Sequence, residues 1–222
     1  MASHLNLEEQ EQIDQLKHFW KSYGTLITVL LVLVMLTYSG WIGYRYWQNS
    51  QSARAAMIHE QVENSAHAQD WGALARALDD VRQQYAGTDY AQQASLQAAQ
   101  AYQQAGKTAE AKQALEWLVQ SGNNAGYQAI ARLRLASLAL EAKDYPAALD
   151  QLSAELPSEF VALAADKRGD VLLAQGQRDA ARRAYQEAYQ GLTADQEGYR
   201  HLVEVKLNAL GVDVSSLSTQ AS

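Results

Sequence analysis

Residues 169–188 read GDVLLAQGQRDAARRAYQEA. Small and apolar residues recur at helical spacing on both sides of a polar break at Gly176, the pattern of helix, tight turn and second helix. The same opening of turn and helix occurs three times upstream, as QDWGALARAL from Gln69, GKTAEAKQAL from Gly106 and KDYPAALDQL from Lys143. The four starts lie 37, 37 and 33 residues apart. Five positions after the start stand Ala111, Ala148 and Ala181, while the first unit departs with Leu74. A small side chain at that point lets the two helices of a hairpin approach closely.

The spacing is close to the 34-residue period of tetratricopeptide repeats, helical hairpins that stack into a solenoid. Gly169, Tyr185 and Ala188 stand where that repeat wants glycine, an aromatic and alanine, and Tyr102 fills an aromatic place in an earlier unit. The signature tryptophan and closing proline are mostly missing, so the repeats are divergent. Pro146 falls just inside a helix after Asp144, where a missing N–H costs little, and Pro157-Ser158 marks the next start. About eight helices in antiparallel pairs are expected over 47–208, with no strand and a short, Ser-rich, flexible tail over 209–222. The helix over 51–66 either continues the preceding segment or begins the solenoid.

That preceding segment, Gly24–Tyr44, reads GTLITVLLVLVMLTYSGWIGY, twenty-one residues without a charge. As a helix it spans roughly 31 Å, matching a hydrocarbon core of about 30 Å. Trp20 and Tyr23 flank one end and Trp41, Tyr44 and Trp47 the other, as membrane-interface anchors do. The lead carries Glu8, Glu9, Glu11 and Asp14 against Lys17 and Lys21, unlike the basic start of a signal peptide. An uncleaved anchor over 23–46 in contact with membrane lipid is the reading. Ser39 and Gly43 form a small-xxx-small pair suited to helix packing in the membrane. In the lead, 1–22, Ile13, Leu16 and Trp20 give one amphipathic face. Lys17 and Lys21 before the span balance Arg45 and Arg54 after it, so charge leaves the orientation open. The expected fold class is therefore all-α, a single N-terminal transmembrane helix followed by a divergent tetratricopeptide-repeat-like solenoid.

Chemistry is hard to find. The net charge of −7 and the absence of a basic stripe argue against nucleic acid as a partner. The chain has no cysteine, which removes disulfides and thiolate chemistry. AGKT at 105–108 ends like a phosphate-binding loop but has Ala101 where glycine is required. HEQVE at 59–63 has Glu63 where a zinc protease has histidine, and the adjacent Asp79 and Asp80 diverge on a helix. No enzyme, cofactor, metal or small-molecule substrate is expected.

A solenoid surface remains. The groove-lining positions of the first helix in each hairpin map to Gln93, Gln100, Gln103, Ser137, Asp166 and Asp170, a set able to hydrogen-bond an extended peptide. Positions that hold Lys and Asn in repeats clamping a chaperone's carboxylate are Leu96, Gln100, Leu133, Ser137, Asp166 and Asp170 here. Their acids would repel a carboxylate.

The chain resembles the YfgM-like ancillary subunits of the bacterial Sec translocon. The likeness is sharpest in EEQEQIDQLKHFWKSYG before the span, GWIGYRYWQNSQSARAA after it and GDVLLAQGQRDAARRAYQEA near the end. The resemblance implies a single-pass inner-membrane protein with a cytoplasmic lead and a periplasmic repeat domain. It also implies a non-enzymatic adaptor role: association with the Sec translocon and with a membrane-anchored periplasmic parvulin-like chaperone, to which newly translocated proteins pass. The residues alone equally permit a scaffold of another envelope complex unrelated to export.

Overall fold

The computed structural model describes residues 7–214, with their side chains except those of 7–16 and Ala194. The described residues form nine α-helices and no strand. They are α1 (Leu7–His67), α2 (Trp71–Tyr85), α3 (Asp89–Gln104), α4 (Thr108–Ser121), α5 (Ala125–Glu141), α6 (Tyr145–Ser153), α7 (Ser158–Ala174), α8 (Arg178–Gly191) and α9 (Glu197–Ala209), with a 3-10 turn at Ala194–Gln196. The chain divides into two compact units after Gln51, a boundary that falls within α1.

The first unit holds the apolar part of α1, the one helix among the described residues long and apolar enough to cross a membrane. Its Leu, Val and aromatic side chains from Phe19 to Trp47 are about half exposed or more. The two threonines within it do not leave their hydroxyls orphaned. Thr28 donates to the Gly24 carbonyl at 2.7 Å and Thr37 to the Leu33 carbonyl at 2.8 Å, which suits an apolar solvent. The amphipathic face expected over the lead rests on Ile13 and Leu16, whose side chains lie outside the described ones.

The second unit is a stack of hairpins. The end of α1 shares a core cluster with α2, and the hairpins α3/α4, α5/α6 and α7/α8 follow; the segment over 51–66 both continues α1 and begins the solenoid, burying Ala55 and Val62. The core is accordingly three successive clusters along the stack. One runs from α1 to α5, one joins α5, α6 and α7, and one joins α7, α8 and α9.

The four turns that revealed the repeat share one geometry. Gln69, Gly106, Lys143 and Gly176 have φ of 55°, 72°, 58° and 78°, the left-handed conformation that ends a helix. The next residue in each donates its N–H to a carbonyl five residues back: Asp70 to Ser65, Lys107 to Tyr102, Asp144 to Ala139 and Gln177 to Leu172, at 2.8–3.0 Å. Asp70 and Asp144 then cap the following helix by accepting from Ala73 and Ala147. Leu74, Ala111, Ala148 and Ala181 are fully buried between paired helices. Gly169 of α7 is required for a similar reason, since a Cβ there would overlap the Tyr185 ring of α8.

After the end of α1 the second unit holds eight helices among the described residues, α2–α9, with α9 as a further first helix at the end of the stack. One expectation needs correction. The part of the expected tail from Ala209 to Val214 is folded: Gly211, at φ 78°, repeats the left-handed turn and Val212 N–H reaches the Leu207 carbonyl at 3.0 Å. That turn brings Leu210 and Val214 into the last core cluster. Residues 215–222 lie outside the described residues.

Candidate interaction surface

Around the apolar helix, the aromatic residues cluster at its two ends by helical spacing. The Phe19 and Tyr23 rings meet at a tilt with centroids 5.2 Å apart on one side, and Tyr38–Trp41 and Tyr44–Trp47 likewise at 6.2 Å on the other. The Arg45 guanidinium lies 4.9 Å over Trp41, so this cation already has an aromatic partner at the helix surface. Trp20, Tyr23, Trp41, Tyr44 and Trp47 are all more than half exposed. Ser39 is exposed too, and a Cβ built on Gly43 would meet nothing, which leaves a shallow notch in the helix.

The groove positions fall on α3, α5 and α7, the first helices of successive hairpins, and those helices touch. Gln93 donates to the Tyr127 hydroxyl at 2.7 Å and Arg134 to the Leu96 carbonyl at 3.1 Å. Gln100 and Gln103 are exposed on the same face of α3 as Gln93, so their amides are open to a partner. Ser137 returns its hydroxyl to the Leu133 carbonyl at 3.1 Å, within its own helix.

Asp166 and Asp170 are placed differently. Asp166 is 2% exposed and accepts from the Tyr199 hydroxyl and Lys206 Nζ, each at 2.7 Å. Asp170 accepts from Lys206 Nζ at 2.7 Å and from the Tyr185 hydroxyl at 2.8 Å. Burial by itself would lower the Lys206 pKa, but its hydrogen bonds and attraction to both carboxylates outweigh burial and raise it. Burial, then hydrogen bonding to Asp170 and Asp166 respectively, pushes the Tyr185 and Tyr199 phenols up. These acids are the internal seat of α9, and they join no open surface with the three glutamines. Sequence reasoning missed Lys206, Tyr199 and Tyr185 as their partners. The available signal was Gly211, which lies 35 residues after Gly176 and marks one more repeat turn.

On the opposite side of the stack, Arg82 ties three helices. Its Nε donates to Ser95 Oγ and its Nη2 to the Ala114 carbonyl, both at 3.2 Å, while the guanidinium lies 4.8 Å over Trp117. Burial lowers its pKa to about 10 against the pull of Asp79. The look-alike motifs resolve into ordinary repeat parts. Gly106 is a hairpin turn, His59 sits edge-on to Tyr90 at 5.9 Å, and Asp79 and Asp80 are exposed on α2. No group of three His, Asp or Glu able to hold a metal stands among the described residues.

Residues 17–212 match the family model of a tetratricopeptide repeat-like domain. The chain is 32% identical over 214 residues to the ancillary SecYEG translocon subunit of Neisseria gonorrhoeae, covering 95% of this chain and all of that protein. It is 28% identical to proteins of the same description from Haemophilus influenzae and Escherichia coli, over 92% of this chain and 98% and 97% of theirs. No solved structure matches the chain. With the repeat turns, the single apolar helix and these full-length matches together, the chain belongs to the tetratricopeptide repeat-like family of the ancillary SecYEG translocon subunits.

Proposed function

We propose that the protein is a non-enzymatic, single-pass adaptor of the bacterial inner membrane that associates with the Sec translocon. Its repeat domain lies in the periplasm and helps pass newly translocated proteins to periplasmic chaperones, a membrane-anchored parvulin-like prolyl isomerase among its partners. The observation that carries this reading is the end-to-end match to the ancillary SecYEG translocon subunit of N. gonorrhoeae. The match includes both the apolar helix and the solenoid, so anchor and repeats are kept as one unit. A surface of helical repeats that presents exposed side-chain amides, Gln100 and Gln103 among them, supports a binding role.

In this reading Trp20 and Tyr23 sit in one headgroup layer and Trp41, Tyr44 and Trp47 in the other, while Ser39 and Gly43 face a neighbouring membrane helix. Gln93, Gln100 and Gln103, with Ser137 on the next hairpin, supply the groove contacts. The test has two arms. Protease added to intact spheroplasts should remove the repeat domain, with lysed cells as the control. Purification in mild detergent should bring translocon subunits with the protein. A domain protected until lysis would refute the periplasmic placement. A reproducible partner set lacking translocon subunits would instead make the protein a scaffold of another envelope complex.

A further inference from the structure

The third hairpin is incomplete. Its second helix, α6, has 9 residues, whereas α2, α4 and α8 have 15, 14 and 14. The consequence is clearest when residues are counted from the left-handed turn. Twelve positions after it, the complete second helices place Val81, Leu118 and Ala188, each fully buried. In the third hairpin that position is Glu155, exposed in the connection after α6 has ended. The chain lacks the helical turn that inserts an aliphatic side chain at this point of the stack.

The following helix records the same loss. Fifteen residues before the turn, α3 has Ala91, fully buried, and α5 has Gln128, which donates to the Val119 and Gly122 carbonyls at the end of α4. The equivalent residue of α7 is Val161, and it is 44% exposed because no helix end covers it. A cleft of about 460 Å³ opens there, lined by Leu149, Leu152, Leu156, Val161, Ala164 and Arg168. Its size falls within the usual range of occupied binding clefts. Arg168 is engaged by Glu187 of α8 at 3.4 Å.

The geometry points to this cleft as the docking site for an amphipathic helix of a partner polypeptide, whose aliphatic side chain replaces the missing turn of α6. The three sister hairpins show what fills the place: one buried Val, Leu or Ala carried on a helical turn. Charge selects the other face of that helix. The segment framing the cleft, 150–159, carries Asp150, Glu155 and Glu159, all exposed, and no cation. The partner helix therefore presents Lys or Arg outward from its aliphatic stripe.

The probe is a synthetic helix of about sixteen residues with leucines along one stripe and lysines elsewhere, long enough to fold on contact. One leucine is photo-reactive. It is mixed with the full chain in nanodiscs of zwitterionic lipid, and cross-links are mapped by mass spectrometry. The expected result is cross-linking within 149–168, suppressed about tenfold by Val161→Arg, which fills the cleft with a like charge. Val161→Ser, a milder change, should reduce it in part, and Leu202→Arg, at another exposed apolar residue, should leave it intact. A version of the peptide with glutamates in place of lysines should cross-link poorly there. Retention in Val161→Arg would overturn the proposal. So would cross-links confined to the membrane helix or α9, or equal capture of the glutamate peptide. Cross-links through the cleft between two copies of the chain, formed without peptide, would show that a second copy covers it instead.

Discussion

Replacing Lys206 by methionine removes the ammonium and keeps most of the aliphatic stem, so it tests the ionic seat of α9 with little loss of packing. The ammonium makes hydrogen bonds at 2.7 Å to both Asp166 and Asp170. Hydrogen bonds to charged groups contribute about 1.5–3 kcal/mol each. The Lys206 side chain is 32% exposed, so solvent screens part of this; Asp166, at 3%, is the partner left stranded. Tyr199 still donates to Asp166, so we expect a net loss of about 3 kcal/mol. Because each repeat contacts chiefly its neighbours, the loss should be local to the end of the stack. Hydrogen–deuterium exchange of the full chain in detergent reads this directly. Amides of 197–210 should lose protection roughly 100-fold, while those of α3 and α4 keep theirs. Adding Asp166→Asn removes the unpaired charge and should restore about half of the protection. Unchanged exchange in α9, or equal loss throughout α3 and α4, would refute the reasoning.

Three further outcomes are expected. Lys143→Gly relieves a left-handed residue and should stabilise by about 0.5–1 kcal/mol, whereas Gly176→Ala should destabilise by about 1–2 kcal/mol; denaturant melts giving the same sign for both would contradict the turn geometry. Gly169→Ala forces the buried Tyr185 ring to move and should cost about 3 kcal/mol or more, seen as a fall in Tm, while an unchanged Tm would mean the ring yields freely. Lys206, Tyr185 and Tyr199 all have raised folded pKa values, so their stabilising contribution is whole below their unfolded values near about 10 and fades above. Arg82, lowered to about 10, works the other way in the same range and only partly offsets them. Thermal melts should therefore be level from about pH 7 to 9 and decline above about 10, less steeply in Lys206→Met; a midpoint that rises above pH 10 would contradict this sign.

The repeat was legible because its turn is chemically demanding. A left-handed residue ends the first helix of every hairpin and a small side chain stands five positions on in three of the four, so Gly106, Lys143, Gly176 and Ala111, Ala148, Ala181 carry the period even without the family's tryptophan and proline. The groove was only half legible. Helical spacing puts Gln93, Gln100 and Gln103 on one face of α3, and the structure keeps Gln100 and Gln103 there, exposed. The same spacing cannot say whether another helix lies over that face. On α7 one does, because Lys206, 40 and 36 residues away from Asp166 and Asp170, reaches back to neutralise them. The cleft beside α6 was written in the spacing of 33 after 37 and 37, yet a shorter period by itself does not tell which helix lost residues.

The seat of α9 also decides how the domain carries load. A terminal helix is held by contacts on one side of the stack alone, so a pull on that end peels it from its neighbour first. Here those contacts are one ammonium held between two carboxylates, backed by Val203 and Leu207 in the last core cluster. Drawn from the C-terminal side, the solenoid would release α9 as a discrete first step, and the force at that step would fall in Lys206→Met while later steps stayed where they were.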